Sequence, residues 1–472
     1  MGKIWDFHQF KGKTALIDEF GHSLTYDSLV SEAQALAEEV GRRCLVFCLC
    51  QNEIGSVLGY VSFISNGIVP ALFASQIDGQ LLKNLLTVYE PAYLWLPKDQ
   101  TERFPEMVPV YQAHEYCLLK TGFKKEYPLY QELGLLLTTS GSTGSPKLVR
   151  QSYTNVLDNA ESIAAYLELD DTERPITTLP MNYTYGLSII NSHLLVGAAI
   201  LVTDKGLMQK EFWSFFKEAG ATSFGGVPYT YEMLDRLRFY RMELPSLRTM
   251  TQAGGKILPE LHEKFARYAK EQGKRFVVMY GQCEATARMG YLPPEKAVEK
   301  KGSMGIVIPG GKFRLIDTAG NQIVTPHTTG ELVYEGKNVT LGYAEHGEDL
   351  ARGDERNGIL ETGDMAQFDE DGYYYIVGRK KRFLKVYGNR VNLDEMDRLI
   401  KEQFGIDAAS AGVDDHVYIF VTEEKGAAPV REFIVGKTKL NPAAFKVKVI
   451  DKIPKNDSGK TLYQELAAYY EE

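Results

Sequence analysis

The most constraining feature of this chain is the run Leu135-Leu-Leu-Thr-Thr-Ser-Gly-Ser-Thr-Gly-Ser-Pro-Lys147. An apolar strand leads into a loop of glycine and hydroxyl residues that ends on a lysine, with a helical pattern following over residues 155–167. Gly141 and Gly144 carry no Cβ, so backbone N–H groups can close on a polyphosphate. Thr139, Ser140, Ser142 and Thr143 offer hydroxyl donors, and Lys147 supplies compensating charge. The G-x-x-x-x-G-K-[ST] spacing of a Walker A loop is absent, and Pro146 interrupts the helix start which that motif needs. Taken alone, the run also reads as a flexible Ser/Gly linker; the strand feeding it favours a phosphate cradle.

The surrounding pattern is α/β. Helical stretches at 26–40 and 55–65 enclose an apolar run at 44–49. The alternation returns with strands at 198–202 and 275–279 and helices at 210–219 and 229–238. Such alternation predicts doubly wound sheets covered on both faces. After Tyr291, short strands at 313–317, 330–334 and 372–377 with Gly and Asp turns predict a small β-barrel-like part. From Lys381 onward, a helix at 393–404 and strands at 417–422 and 446–450 predict a small α+β module. The 472 residues exceed the roughly 250–300 at which single cores stop growing. The expected organisation is a large N-terminal domain, 1–380, and a small mobile C-terminal domain, 381–472. No low-complexity linker separates them, so they should meet through a short hinge.

A net charge of −9 with no polybasic block argues against nucleic acid or anionic lipid as the main partner. The start lacks a basic segment followed by an apolar stretch, and no apolar run reaches the ~18 residues of a membrane span. A cytoplasmic protein is expected. Cys44, Cys48 and Cys50 fall at even spacings in CLVFCLC, as on one face of a buried strand; no histidine or fourth cysteine nearby completes a metal set.

The loop TTSGSTGSPK resembles the signature of the adenylate-forming superfamily, which includes acyl-CoA synthetases, aryl-acid ligases, peptide-synthetase adenylation domains and firefly luciferase. Further stretches agree in the family's order: Tyr280-Gly-Gln-Cys-Glu284 with Y-G-x-T-E, Gly330-Glu-Leu to Gly342-Tyr343 with G-E-L…G-Y, and Glu361-Thr-Gly-Asp364 with T-G-D. Gly378 to Gly388 resembles the hinge and following loop, and Pro454-Lys-Asn-Asp-Ser-Gly-Lys460 the C-terminal lysine motif. The resemblance is nearest to acyl- and aryl-acid:CoA ligases and runs from about residue 135 to 460. The preceding residues fit by fold pattern alone.

This resemblance implies an enzyme that uses ATP and Mg²⁺ to convert a small carboxylic acid into its acyl adenylate and pyrophosphate. The acyl group then passes to a thiol, that of CoA or of a pantetheinylated acyl carrier protein. It implies a catalytic set of Lys460, Glu284 and Lys385. Lys460 would offset charge at the α-phosphate, Glu284 would hold Mg²⁺, and Lys385 would sit on a loop presented in the thiol step. Nucleotide contacts would come from Thr139, Ser140, Gly141, Ser142, Thr143, Gly144, Lys147, Gly254, Gly255, Tyr280, Gly281, Asp364 and Arg379. Tyr280 would stack on adenine and Asp364 would accept from the ribose hydroxyls. Lys381 would be the pivot of the small domain, and Gly388 would leave a passage for a pantetheine arm. Outside the ordered motif set, Tyr280 reads as strand packing, Asp364 as a turn residue, and Glu284 and Lys460 as solvated charges.

Two departures bear on the substrate. Cys283 stands where the family usually has threonine, which exchanges a hydroxyl for a weak thiol donor; no neighbouring base supports a catalytic thiol. Residues 179–187, LPMNYTYGL, resemble the segment ending H-x-x-G-L, with Tyr183 in the histidine place. Amino-acid-activating members carry an aspartate hereabouts for the ammonium group, and this chain has none. An acid without an α-amino group is therefore favoured, in a pocket expected from Tyr183, Tyr185, Gly225, Val227 and Cys283, though core packing also accounts for the tyrosines. The competing readings are an amino-acid-activating carrier-protein ligase and a nucleotide-binding module without turnover.

Overall fold

The strand Leu45–Cys50 shows how the sequence builds the larger part of the molecule. All six of its residues are buried: Val46, Cys48 and Cys50 join one apolar cluster, and Leu45, Phe47 and Leu49 another. A strand with a period of two and apolar side chains on both faces must be covered on both sides. The helices Tyr26–Val40 and Ile54–Ser65 contribute to the first cluster, and Gly79–Tyr89 to the second. Cys48 and Cys50 are therefore core residues of a central strand, Cys44 lies half-buried just before it, and all five cysteines of the chain are free thiols.

The computed structural model describes residues 4–138, 147–387, 389–423, 426–455 and 461–470. Contacts divide the chain into two compact units, 1–312 with 334–360, and 313–333 with 361–472. In the first unit, an eight-stranded sheet has the order Gly342–Ala344, Leu148–Ser152, Leu133–Thr138, Val69–Ala74, Leu45–Cys50, Tyr93–Pro97, Tyr116–Lys120, Val108–Ala113. Its four central strands, Leu133–Thr138 to Tyr93–Pro97, are parallel, and both edges are antiparallel. A five-stranded sheet holds Ser223–Gly226, Thr249–Gln252 and Arg275–Tyr280 in parallel, followed by antiparallel Gly290–Tyr291 and Ile306–Val307. This is the α/β architecture read from the sequence.

The phosphate-loop region adds one element that the sequence pattern does not mark: Leu148–Ser152 is a strand antiparallel to Leu133–Thr138, and the helix Tyr153–Tyr166 that follows it matches the helical pattern read over 155–167. Ser152 caps that helix by accepting from Asn155 N at 3.0 Å, while Asn155 Oδ1 accepts from Ser152 N at 2.8 Å. This reciprocal capping fixes the helix start at Tyr153, while Leu148 and Val149, apolar and buried, hold the preceding strand in the sheet.

In the second unit, strands Gln322–Ile323, Lys312–Ile316, Gly330–Glu335, Ile359–Phe368 and Tyr374–Arg379 form a sheet in that order. The sheet is open, so the barrel-like expectation is corrected: the short first strand leaves nothing to pair with the last and close the ring. Beyond it lie the hairpin Phe383–Val386 with Asn389–Asn392, and a three-stranded sheet of Ala408–Val413, His416–Val421 and Phe445–Val449. Helices Leu393–Phe404 and Ala427–Thr438 pack on these strands. No helix among the described residues is long and apolar enough to cross a membrane.

Candidate active site

In the first unit the site begins where Leu133–Thr138 ends and Lys147 resumes the chain. Lys147 Nζ lies 3.7 Å from the centroid of the Tyr343 ring and 3.8 Å from Glu345 Oε1. Tyr343 faces it because Gly342–Ala344 is the edge strand paired with Leu148–Ser152, in the register Tyr343↔Val149. The Tyr343 hydroxyl donates to Glu284 Oε1 at 2.8 Å. One phenol therefore joins the expected phosphate lysine to the expected magnesium carboxylate. Burial, and next the Glu284 carboxylate, push its pKa up, so it stays a neutral donor. Arg356 adds a second cation at 4.7 Å from the same ring, and its Nη1 donates to the Glu284 carbonyl at 3.1 Å and to Thr340 Oγ1 at 2.6 Å. Two cations over one ring make an anion-attracting corner.

The edge strand is held by Arg150, whose side chain is fully buried. It donates to the carbonyls of Tyr343 at 3.0 Å, Leu341 at 3.3 Å and Gly353 at 3.3 Å, to that of Arg352, and to Glu355 Oε2 at 2.5 Å. Sequence reading passed over Arg150, Tyr343 as a side chain, and Arg356. Tyr343 at least carried a signal, since it ends the G-E-L…G-Y segment.

Glu284 sits in a short turn, Cys283–Ala285, after the strand Arg275–Tyr280. Asn338 donates to the carbonyls of Ala285 at 2.7 Å and Arg288 at 2.9 Å, and Thr340 N and Oγ1 both donate to the Glu284 carbonyl at 3.0 Å. The turn is thus fixed by side chains from the segment that also supplies Tyr343. Gly281 is required by packing, since a Cβ there would overlap the Ala287 carbonyl. Glu284 Oε2 accepts no hydrogen bond among the described residues, which leaves one carboxylate oxygen for a cation. Mg²⁺ commonly takes one protein carboxylate together with substrate phosphates, so this donor set fits it. The Cys283 thiol faces the Thr138 carbonyl, 3.8 Å away, at the last described residue before the loop.

Tyr280 ends its strand paired with Gly290, and its hydroxyl accepts from Gln282 Nε2 at 3.3 Å. Gly254 has φ +84°, and a Cβ on it would lie 2.7 Å from the Tyr183 hydroxyl and 3.0 Å from Val227 Cγ1. Gly255 abuts Pro228. Tyr183 precedes the helix Thr184–Leu195, and Tyr185 lies in its first turn, their rings edge to face at 6.3 Å. The Tyr185 hydroxyl pairs with Thr251 Oγ1 at 2.8 Å, and a Cβ on Gly225 would come within 3.0 Å of it. Burial pushes both phenols up to about 12, so at neutral pH each is a neutral group that can hydrogen-bond but carries no charge. Tyr183, Tyr185, Gly225, Val227 and Gly254 therefore do come together, around a wall with the apolar neighbours Leu179, Ala253 and Met279.

In the second unit Asp364 and Arg379 are register partners, and Arg379 Nε lies 3.6 Å from Asp364 Oδ1. The Asp364 carboxylate is nearly buried and the arginine is exposed. Lys381 is exposed within the turn Lys380–Arg382. Its neighbours are anchored, Lys380 to Glu331 at 2.6 Å, and Arg382 to Asp394 and Asp397 at 2.7 Å each. Lys385 is exposed on the hairpin, its backbone N–H held by Asp414 at 2.7 Å. Thr139, Ser140, Gly141, Ser142, Thr143, Gly144, Gly388 and Lys460 lie outside the described residues.

Residues 5–344 match the model of the AMP-binding enzyme family. The chain is 30% identical over 351 residues to the oxalate–CoA ligase of Arabidopsis thaliana, covering 71% of this chain and 67% of that one. It is 26% identical over 487 residues to the 2-succinylbenzoate–CoA ligase of Oceanobacillus iheyensis, covering 96% of each. Its fold matches o-succinylbenzoate CoA synthetase from Bacillus subtilis, solved with its acyl-adenylate intermediate, at TM-score 0.80 and 21% identity over 98% of this chain and 96% of that one. The same enzyme solved with ATP and a magnesium ion gives 0.79 and 21%, covering 98% of each. The chain belongs to the AMP-binding enzyme family, the adenylate-forming superfamily of acyl- and aryl-CoA ligases that its motifs resemble.

Proposed function

We propose that this protein is an ATP-dependent carboxylic acid:CoA ligase that forms an acyl adenylate and then a thioester. The observation that carries the proposal is the Lys147–Tyr343–Glu284 line at the end of the phosphate-loop strand. In the first step a carboxylate oxygen of the acid attacks the α-phosphorus of ATP, and the bond to the bridging oxygen breaks to release pyrophosphate. Lys147 and Arg356 attract the polyphosphate, and Tyr343 orients Glu284, so positioning and electrostatics suffice without a protein nucleophile. Mg²⁺ held by Glu284 would neutralise phosphate charge. Lys460 would stabilise charge at the α-phosphate, and Asp364 with Arg379 would take the ribose. In the second step the CoA sulfur attacks the acyl carbon, the carbon–oxygen bond breaks, AMP leaves, and the thiol proton passes to solvent.

CoA is the proposed acceptor because the relatives above are named as CoA ligases. Those names give no support to the carrier-protein pantetheine also expected from the sequence. The acid proposed is one without an amino group. Beside Tyr185 lies the Arg288 guanidinium, 4.4 Å from the ring, and a cation there disfavours an ammonium. The proposed mobile body is 381–472, turning at Lys381, with Lys385 and Gly388 serving the thiol step, and the proposed location is cytoplasmic.

The test is a panel of carboxylic acids scored by acid-dependent pyrophosphate release, with and without CoA, beside a Lys460→Ala variant. Release with at least one acid, followed by a CoA thioester, is expected. No acid exceeding the variant's background would refute the proposal.

A further inference from the structure

Beside Tyr185 lies a buried charge that no carboxylate among the described residues compensates. Arg288 is 1% exposed and follows the Glu284 turn. Its guanidinium meets Tyr166, Tyr185 and Met279, which themselves belong to an apolar cluster with Ile163, Leu179 and Val277. Nε donates to Ser188 Oγ at 3.2 Å, and Nη1 donates to the Tyr166 hydroxyl at 3.1 Å and to the Met279 sulfur. The Tyr185 face lies 4.4 Å from the guanidinium carbon. Nη2 is buried and has no hydrogen-bond partner, and among the described residues no carboxylate forms an ion pair with this arginine.

A buried cation without a counter-ion carries a desolvation cost of several kcal/mol, and such groups are otherwise paired. Neutral phenols, a hydroxyl and a thioether offset only part of it. Arg150, the other fully buried arginine of this unit, has Glu355 and four carbonyls. Arg288 differs from it in pairing with no anion among the described residues, and in standing against Tyr185, whose hydroxyl borders Gly225. A guanidinium held on two sides, with one N–H edge left over, has the form of half a bidentate carboxylate site.

We infer that Arg288 is a specificity residue that receives a second anionic group of the substrate, so the acid activated here is a dicarboxylic acid or another acid with a distal anion. The inference rests on the ligase reading above and narrows its substrate class. One carboxylate reacts at phosphorus; the other stays ionised and is bound, undergoing no chemistry. A monocarboxylic acid of equal length would leave Arg288 as it is in the free protein and would forfeit the ion pair. Sites built to pair a polar group reject analogues lacking it by large factors.

The experiment uses the full chain with ATP, Mg²⁺ and CoA and matched acids: succinate against butyrate, glutarate against valerate, adipate against hexanoate, and phthalate against benzoate. For the best pair, kcat/KM from pyrophosphate release should favour the diacid by about 100-fold or more. Arg288→Met should lose that factor, mainly through the KM for the diacid, so that its diacid-to-monoacid ratio of kcat/KM falls to about one; Arg288→Lys should recover part of it. Wild-type protein that uses the monoacids as well as the diacids would overturn the inference, and this comparison needs no variant. An equal loss on both acids in Arg288→Met would also overturn it, since that is a purely structural role. If no acid releases pyrophosphate, the ligase reading fails by itself. Calorimetric binding of the same diacids then decides the subsite: binding to wild type that is lost in Arg288→Met supports it, and absent or unaltered binding overturns it.

Discussion

The Tyr343 hydroxyl donates to Glu284 Oε1 at 2.8 Å while the Tyr343 ring carries Lys147 Nζ 3.7 Å from its centroid. The two functions of this side chain are separable. Tyr343→Phe keeps a ring for Lys147 but frees Glu284 from its donor. The expected result is a rise in the KM for MgATP of about tenfold, the scale of a hydrogen bond to a charged group, with little change in stability. Tyr343→Ala should be worse on both counts. Steady-state kinetics at varied MgATP, with thermal unfolding as the control, make the comparison.

Arg150 supports the same corner from behind. Replacing it with methionine keeps volume but orphans the Tyr343, Leu341 and Gly353 carbonyls. A loss of about 3 kcal/mol in denaturant unfolding is expected, together with weaker ATP use, because the strand bearing Tyr343 is no longer pinned. Unchanged stability would show that the buried guanidinium is replaceable by apolar packing.

Much of this framework was legible from the sequence. The helices at 26–40 and 393–404 begin and end where the apolar periodicity does, and the strand entering the phosphate loop shows as an uninterrupted leucine run. The strand Leu148–Ser152 was not, because it contains a buried Arg150 whose partners lie about 200 residues onward, and no local pattern marks such a pairing. Arg288 was missed for the same reason: its partners Ser188 and Tyr166 come from two helices 100 and 122 residues away in sequence. Chain pattern fixed which residues lie inside; long-range polar pairing, which depends on tertiary approach, it did not reveal.

Gly254 tests the pocket wall. Gly254→Ala places a methyl 2.7 Å from the Tyr183 hydroxyl at a φ of +84° that L-residues resist. The tyrosine must shift, so the KM for the acid should rise several-fold more than that for ATP, with about 1 kcal/mol of lost stability. A larger effect on ATP than on the acid would place Tyr183 outside the acid pocket.

His262 gives the stability a pH dependence. Its Nε2 donates to the Ala297 carbonyl at 2.8 Å and its Nδ1 accepts from Gly302 N at 3.3 Å, so the buried ring is satisfied as the neutral form. Burial lowers its pKa from 6.5 to about 4. A histidine with a lowered folded pKa contributes stability that is present above pH 6.5 and lost as pH falls toward 4. The loss from this group is up to about 3 kcal/mol. His193, buried and likewise lowered to about 4, acts in the same direction. Urea unfolding at pH 7.5 and pH 5 should show the decline, and His262→Gln should flatten part of it; an unchanged slope in the variant would assign the pH effect elsewhere.

The central claim is that the acid's own carboxylate attacks the α-phosphorus of ATP. Turnover of a substrate acid labelled with ¹⁸O in its carboxylate, in the presence of CoA, measures this directly by mass spectrometry of the nucleotide product. The account predicts AMP carrying one labelled oxygen. Label in orthophosphate with ADP as the product, or unlabelled AMP, would contradict it.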